Sequence, residues 1–205
     1  MEYYIYNVPL FVVDNVEENV DLPLFCAEVE EILPPSIFNN VDAVYIGNFK
    51  ELNGRNAAFD HGAIYMSCNE PTNFDMIENL VHEVAHSLEA DHGWDIYADD
   101  LRREFLNKRR QLYHLLIAEK YYINPSFYGF TEYNKEFDNF LANEVGYPTL
   151  LALTIGLFVS PYGATSLQEY FANGFEKYFL DSPRAVQEVS PILYKKIESI
   201  LDDQA

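Results

Sequence analysis

Tyrosine and aliphatic residues alternate over Tyr3 to Val13, which predicts an opening strand because strand side chains alternate between two faces. The period then becomes helical over residues 22–33, where Leu22, Phe25, Val29 and Leu33 share one face and Pro34-Pro35 closes the helix. Two further strands are expected over 42–48 and 57–67, separated by the turn-like Asn53-Gly54. Residues 73–90 read as a helix with Thr72 or Asn73 as N-cap and Ile77, Leu80, Val81, Val84 and Leu88 on its core face. The rest reads as helices. A long one over 99–122 turns Leu101, Phe105, Leu112 and Leu116 inward, and others follow over 131–145, 148–159, 166–180 and 184–201. The segment 148–159 is expected to be buried, and Phe171, Phe175 and Phe179 form the inner face of 166–180. Strands before helices predict one α+β domain over 1–205. Its strand-containing lobe spans 1–96 with a small mixed sheet, and its helical lobe spans 97–205.

One pentapeptide on the 73–90 helix carries chemistry: His82-Glu83-Val84-Ala85-His86. Residues at i and i+4 stack on one helical face, so both imidazoles can reach a single ion. Glu83 projects beside them and can take a proton from an activated water. A chain with only 5 His, if shuffled, would hold this arrangement about 0.01 times. Composition alone does not account for the pattern. Two imidazoles and one carboxylate suit Zn²⁺, which needs a third protein ligand if one position is to stay open for reaction.

Two residues could be that ligand, His92 and Glu169. His82, His86 and His92 have the histidine spacing of the metzincin proteases. Glu89, however, stands where that pattern requires a glycine, and no methionine follows the helix, since all three (Met1, Met66, Met76) precede or begin it. His92 therefore reads as a loop histidine beside Gly93. The segment Leu167-Gln168-Glu169-Tyr170-Phe171-Ala172-Asn173 resembles the glutamate helix of the gluzincin metallopeptidases. More narrowly, it is similar to the catalytic domains of anthrax lethal factor and the Pro-Pro endopeptidases. The resemblance implies a zincin-like fold, Glu169 as the third zinc ligand, and a hydrogen-bond donor to the substrate oxygen seven residues earlier, at Tyr162. It also implies that an extended peptide pairs along the strand within 57–67. Glu89, on the histidine stripe, and Asn173, one turn after Glu169, are candidates for orienting the ligands. His61 reads as a turn histidine and His114 as a surface one, and Asp91, Asp95, Asp99 and Asp100 as caps and solvated positions.

Charge then bounds the partners. The chain has 13 Lys+Arg against 33 Asp+Glu, a net −20, which disfavours nucleic-acid backbones and anionic membranes. Cys26 and Cys68 are too few for a thiolate zinc site and read as buried thiols. No basic, apolar leader is visible at the start, and no apolar run reaches spanning length, so a cytoplasmic or virion- or assembly-associated protein is expected. The expected function is a zinc-dependent endopeptidase acting on a peptide or protein substrate through Glu83. The alternative is a structural, non-catalytic component that keeps the same fold. The sequence leaves the oligomeric state open.

Overall fold

A computed structural model describes residues 3–203. The chain is α+β, with a small mixed sheet early and helices afterwards. It divides into two compact units, one of residues 3–91 with 201–203, the other His92–Ile200.

The first unit holds five strands, β1 (Tyr3–Ile5), β2 (Val8–Val12), β3 (Ala43–Gly47), β4 (Ala57–Asp60) and β5 (Ala63–Ser67), in the order β1-β2-β3-β5-β4. The β1–β2 and β4–β5 pairs are antiparallel; β2–β3 and β3–β5 are parallel. Helix α1 (Leu22–Ile32) makes the crossover between β2 and β3, as a parallel pair requires. One sheet face is apolar and buried: Val8, Leu10, Val44, Ile46, Ile64 and Met66 are each at most 7% exposed. Helix α2 (Asn73–Ser87) contacts β4 and β5 as well as α1. Thr72 caps it, its hydroxyl accepting from the Asp75 N–H at 3.2 Å. All five residues expected on its core face are buried, from Ile77 to Leu88.

Two expected strands are hairpins instead. The opening segment turns at Tyr6-Asn7, with Tyr6 at φ 52° and its hydroxyl against the Glu30 and Leu33 carbonyls at the end of α1. The 57–67 segment turns at His61-Gly62, both at positive φ (46° and 83°), the signature of a two-residue hairpin turn. Gly62 has a second constraint, because a Cβ there would lie 2.5 Å from Asp42 Oδ2. The 73–90 helix is also shorter than expected. Asn40 donates to the Ser87 carbonyl at 3.2 Å, and α3 (Glu89–Ile96) begins just beyond.

In the second unit α4 (Asp99–Ala118) buries Leu101, Phe105, Leu112 and Leu116 as expected. It stops four residues before Tyr122, since Lys120 takes a left-handed conformation (φ 66°) and the Tyr121 N–H returns to the Leu116 carbonyl at 2.9 Å. The helix expected over 131–145 begins only at α5 (Lys135–Asn139), because the Thr131 carbonyl instead accepts from Leu167 N–H at 2.8 Å. A π-helical turn over Phe140–Gly146 leads into α6 (Tyr147–Thr154). The expectation of a buried helix over 148–159 is corrected here: the helix ends at Thr154, and Leu150, Thr154, Leu157 and Phe158 are buried, but Pro148, Leu151 and Ile155 are exposed. Helix α7 (Leu167–Leu180) starts at Ser166, whose hydroxyl accepts from the Glu169 N–H at 3.1 Å. The single helix expected over 184–201 is two, α8 (Pro183–Val189) and α9 (Pro191–Asp203), since Pro191 has no N–H to continue α8 but suits a helix start. The Glu104 carboxylate receives the Ile192 and Leu193 N–H groups at 2.9 and 3.2 Å, together with the Tyr170 hydroxyl at 2.9 Å. Among the described residues no helix is long and apolar enough to cross a membrane.

Gly174 lets α7 and α9 approach. A Cβ there would stand 2.2 Å from Leu193 Cδ2, and Leu193 is fully buried. Gly174→Ala is expected to destabilise the chain by about 1–3 kcal/mol through overpacking, read as a lower urea midpoint. An unchanged midpoint would show that Leu193 has room to move.

Candidate metal centre

Burying Ile77, Leu80, Val81, Val84 and Leu88 against one side of α2 leaves its opposite side to His82 and His86. Both imidazoles are half-buried, with ring centroids 5.0 Å apart. Glu89, at the start of α3, holds His86: its Oε1 is 2.9 Å from Nδ1. With Nδ1–H donated to that carboxylate, Nε2 is the nitrogen that can ligate, and the ring orientation is set.

Glu83 falls between the histidine stripe and the core face and is only 8% exposed. A carboxylate that deep needs a donor. Its Oε2 accepts from the main-chain N–H of Phe59 at 2.7 Å. Asp60 and Ala63 close the β4–β5 hairpin, and hydrogen-bonded and non-bonded pairs alternate from there, so the Phe59 amide points away from β5. Strand β4 is the sheet edge. Glu83 therefore occupies one of the open-edge amides of the strand along which an extended peptide was expected to pair.

Glu169 lies in the first turn of α7, half-buried, its own amide tied to the Ser166 cap. Asn173 donates from Nδ2 to the Glu169 main-chain carbonyl at 2.8 Å. It steadies the helix turn that bears Glu169. Tyr162 is half-buried and opens a short 3₁₀ turn, Tyr162–Ala164, whose carbonyl accepts from the Thr165 N–H and hydroxyl at 3.0 and 2.8 Å. Gly163 seats that turn on α7, since a Cβ there would already meet Asn173 Cβ and Tyr170 Cα at 3.6 Å. Tyr147, at the head of α6, is a residue the sequence did not single out. Burial first, then the charges of Asp138 and Glu169, push its hydroxyl pKa up.

His82 and His86 belong to the first unit and Glu169 to the second. Two imidazole nitrogens and one carboxylate oxygen are a donor set that suits tetrahedral zinc with a fourth position left open. His92 is helical, in α3, where a loop position was expected. His61 is a fully exposed turn residue and His114 a surface one, as their sequence contexts suggested.

No protein-family model matches the chain, and no curated protein or solved structure does either.

The Glu83–Phe59 contact makes a stability prediction separable from catalysis. Glu83→Ala leaves a partly buried N–H without its acceptor and is expected to cost about 1 kcal/mol. Glu83→Gln retains an acceptor oxygen and is expected to cost less. Urea denaturation of both variants checks this, and equal losses would show that the contact contributes nothing.

Proposed function

We propose that this chain is a zinc-dependent endopeptidase with a zincin-like arrangement, in which His82, His86 and Glu169 hold the metal and Glu83 is the general base. The observation that carries the reading is the pair of imidazoles on one side of α2, ring centroids 5.0 Å apart, next to a carboxylate spaced as a base. Further support comes from the Glu89–His86 hydrogen bond of 2.9 Å, the partner that metal-binding imidazoles ordinarily have.

Bound zinc would supply Lewis acidity, polarising a carbonyl and making a water more acidic. The chain's own residues do the rest. Glu83, oriented by the Phe59 N–H, accepts a proton on a carboxylate oxygen as the water oxygen attacks the scissile carbonyl carbon. The C–N bond then breaks, and Glu83 returns that proton to the departing amine nitrogen. Tyr162, on a turn fixed against α7, donates its hydroxyl hydrogen to the oxygen that gains negative charge. The substrate is a peptide or protein.

Glu83→Gln is expected to abolish cleavage of a peptide library while zinc content, measured by atomic absorption, stays stoichiometric. Full activity in that variant would overturn the role of Glu83. Glu169→Ala is expected to lose zinc; stoichiometric zinc there would return the third-ligand role to His92. Glu89→Ala is expected to weaken zinc binding by about 10–100-fold in a chelator competition while leaving the fold intact. Wild-type chain that binds zinc and cleaves nothing would favour a structural role for the metal.

A further inference from the structure

The stretch leading to Glu169 is unlike the rest of the chain. Residues 145–168 contain no Asp, Glu, Lys, Arg or His, in a protein where 22% of residues are charged. Within it, α6 presents Tyr147 and Leu151 at i and i+4, and Ile155, which caps the helix, follows at i+8; they are exposed to 42%, 59% and 79%. Pro148 and Ala152, also exposed, fill the spaces between them. A helix surface is normally charged on its solvent side. Here the core side (Leu150, Thr154) and the solvent side are both uncharged, so the helix has the composition of a buried element with one face uncovered.

We infer that this outer face of α6 is where the apolar side chains of the substrate rest, so that the chain acts on extended, uncharged, apolar peptide segments. The inference rests on the peptidase reading above. Three features select a peptide as the occupant. The row belongs to the uncharged run that continues through Leu157 and Phe158 to the Tyr162 turn and ends at Glu169, and the Glu169 carboxylate is among the charges that raise the Tyr147 hydroxyl pKa. Its length is also appropriate. Eight helical residues span about 12 Å, which matches about four residues of an extended peptide. The competing occupants suit it less well. Three side chains offer far less than the roughly 800 Å² per partner of a stable dimer, and a net charge of −20 opposes docking on anionic lipid.

Leu151→Lys and Ile155→Lys test the surface, because both positions are exposed and tolerate a long polar side chain without disturbing the core. Binding is measured by fluorescence anisotropy on the full, zinc-loaded chain carrying Glu83→Gln, so that no turnover is needed. The probes are two fluorescein-labelled peptides of equal length, one with a Leu-Phe-Leu-Ile centre and one with a Ser-Gly-Ser-Gly centre. The apolar peptide is expected to bind about tenfold or more tighter, and each lysine substitution to remove most of that difference. Equal binding of the two peptides, or binding indifferent to both substitutions, overturns the inference. So does a concentration-dependent dimer, or flotation with phosphatidylcholine vesicles, that Leu151→Lys abolishes, since either would name another occupant. The two readings fail separately. Lysine variants that bind and cleave the apolar peptide like wild type remove the surface and leave the peptidase. Apolar binding lost in the lysine variants, with no cleavage by the Glu83-containing chain, supports the surface and removes the peptidase.

Discussion

The packing of α2 on the sheet is the constraint on which the proposed chemistry depends. Six apolar residues of the helix, Met76, Ile77, Leu80, Val81, Val84 and Ala85, are buried, and at 100° per residue that choice leaves no freedom for the others. His82, His86 and the following Glu89 are driven to the opposite side. Glu83 is driven to the flank, too deep to be solvated and too polar to go without a partner. The sheet edge supplies that partner as the Phe59 amide. The cost of burying a carboxylate is thus met by a donor that also fixes the direction in which it points. A carboxylate held in this way needs little rearrangement to serve as the proposed base.

Much of this was legible in the sequence because periodicity reports it. The core faces of α1, α2 and α4 are those the spacing of apolar residues predicts, and Thr72 caps α2 as its side chain allows. What the sequence concealed were the places where a chain stops for reasons outside its own segment. Helix α4 ends on a left-handed Lys120, where the usual signal would be glycine. The 73–90 helix breaks with neither Gly nor Pro, beside an Asn40 side chain that arrives from 47 residues away. His61-Gly62 does not advertise a turn as Asn-Gly would, so a hairpin read as one strand. At the candidate centre, the pentapeptide spacing displayed the histidines and Glu83. No sequence pattern could have revealed the main-chain donor at Phe59.

The second unit is organised by a different device, buried cations serving main-chain carbonyls. Lys108 and Arg109 are 6% and 1% exposed on an otherwise apolar side of α4. Lys108 donates to the carbonyls of Leu157 and Val189 at 2.5 and 2.7 Å, joining the segment after α6 to the end of α8. Arg109 donates to those of Phe127 and Phe130 at 2.6 and 3.0 Å and lies over the Phe137 ring. Burial pushes the guanidinium pKa down to about 10, which still leaves it charged at neutral pH. Irregular segments carry carbonyls that no ladder satisfies. Two long cationic side chains let loops of this kind pack against a helix, which explains why a helical half with many interruptions still buries an extensive aromatic core.

The two cysteines are both free and both buried. Burial, followed by the nearby Glu30 carboxylate, pushes the Cys26 thiol up to about 11, so only roughly one molecule in ten thousand carries a thiolate at neutral pH. A protonated thiol shut away from solvent is neither a soft ligand that could divert a metal from imidazole nor a ready target for air oxidation. Because both thiols are buried, the chain can be prepared without the thiol reductants that themselves chelate zinc.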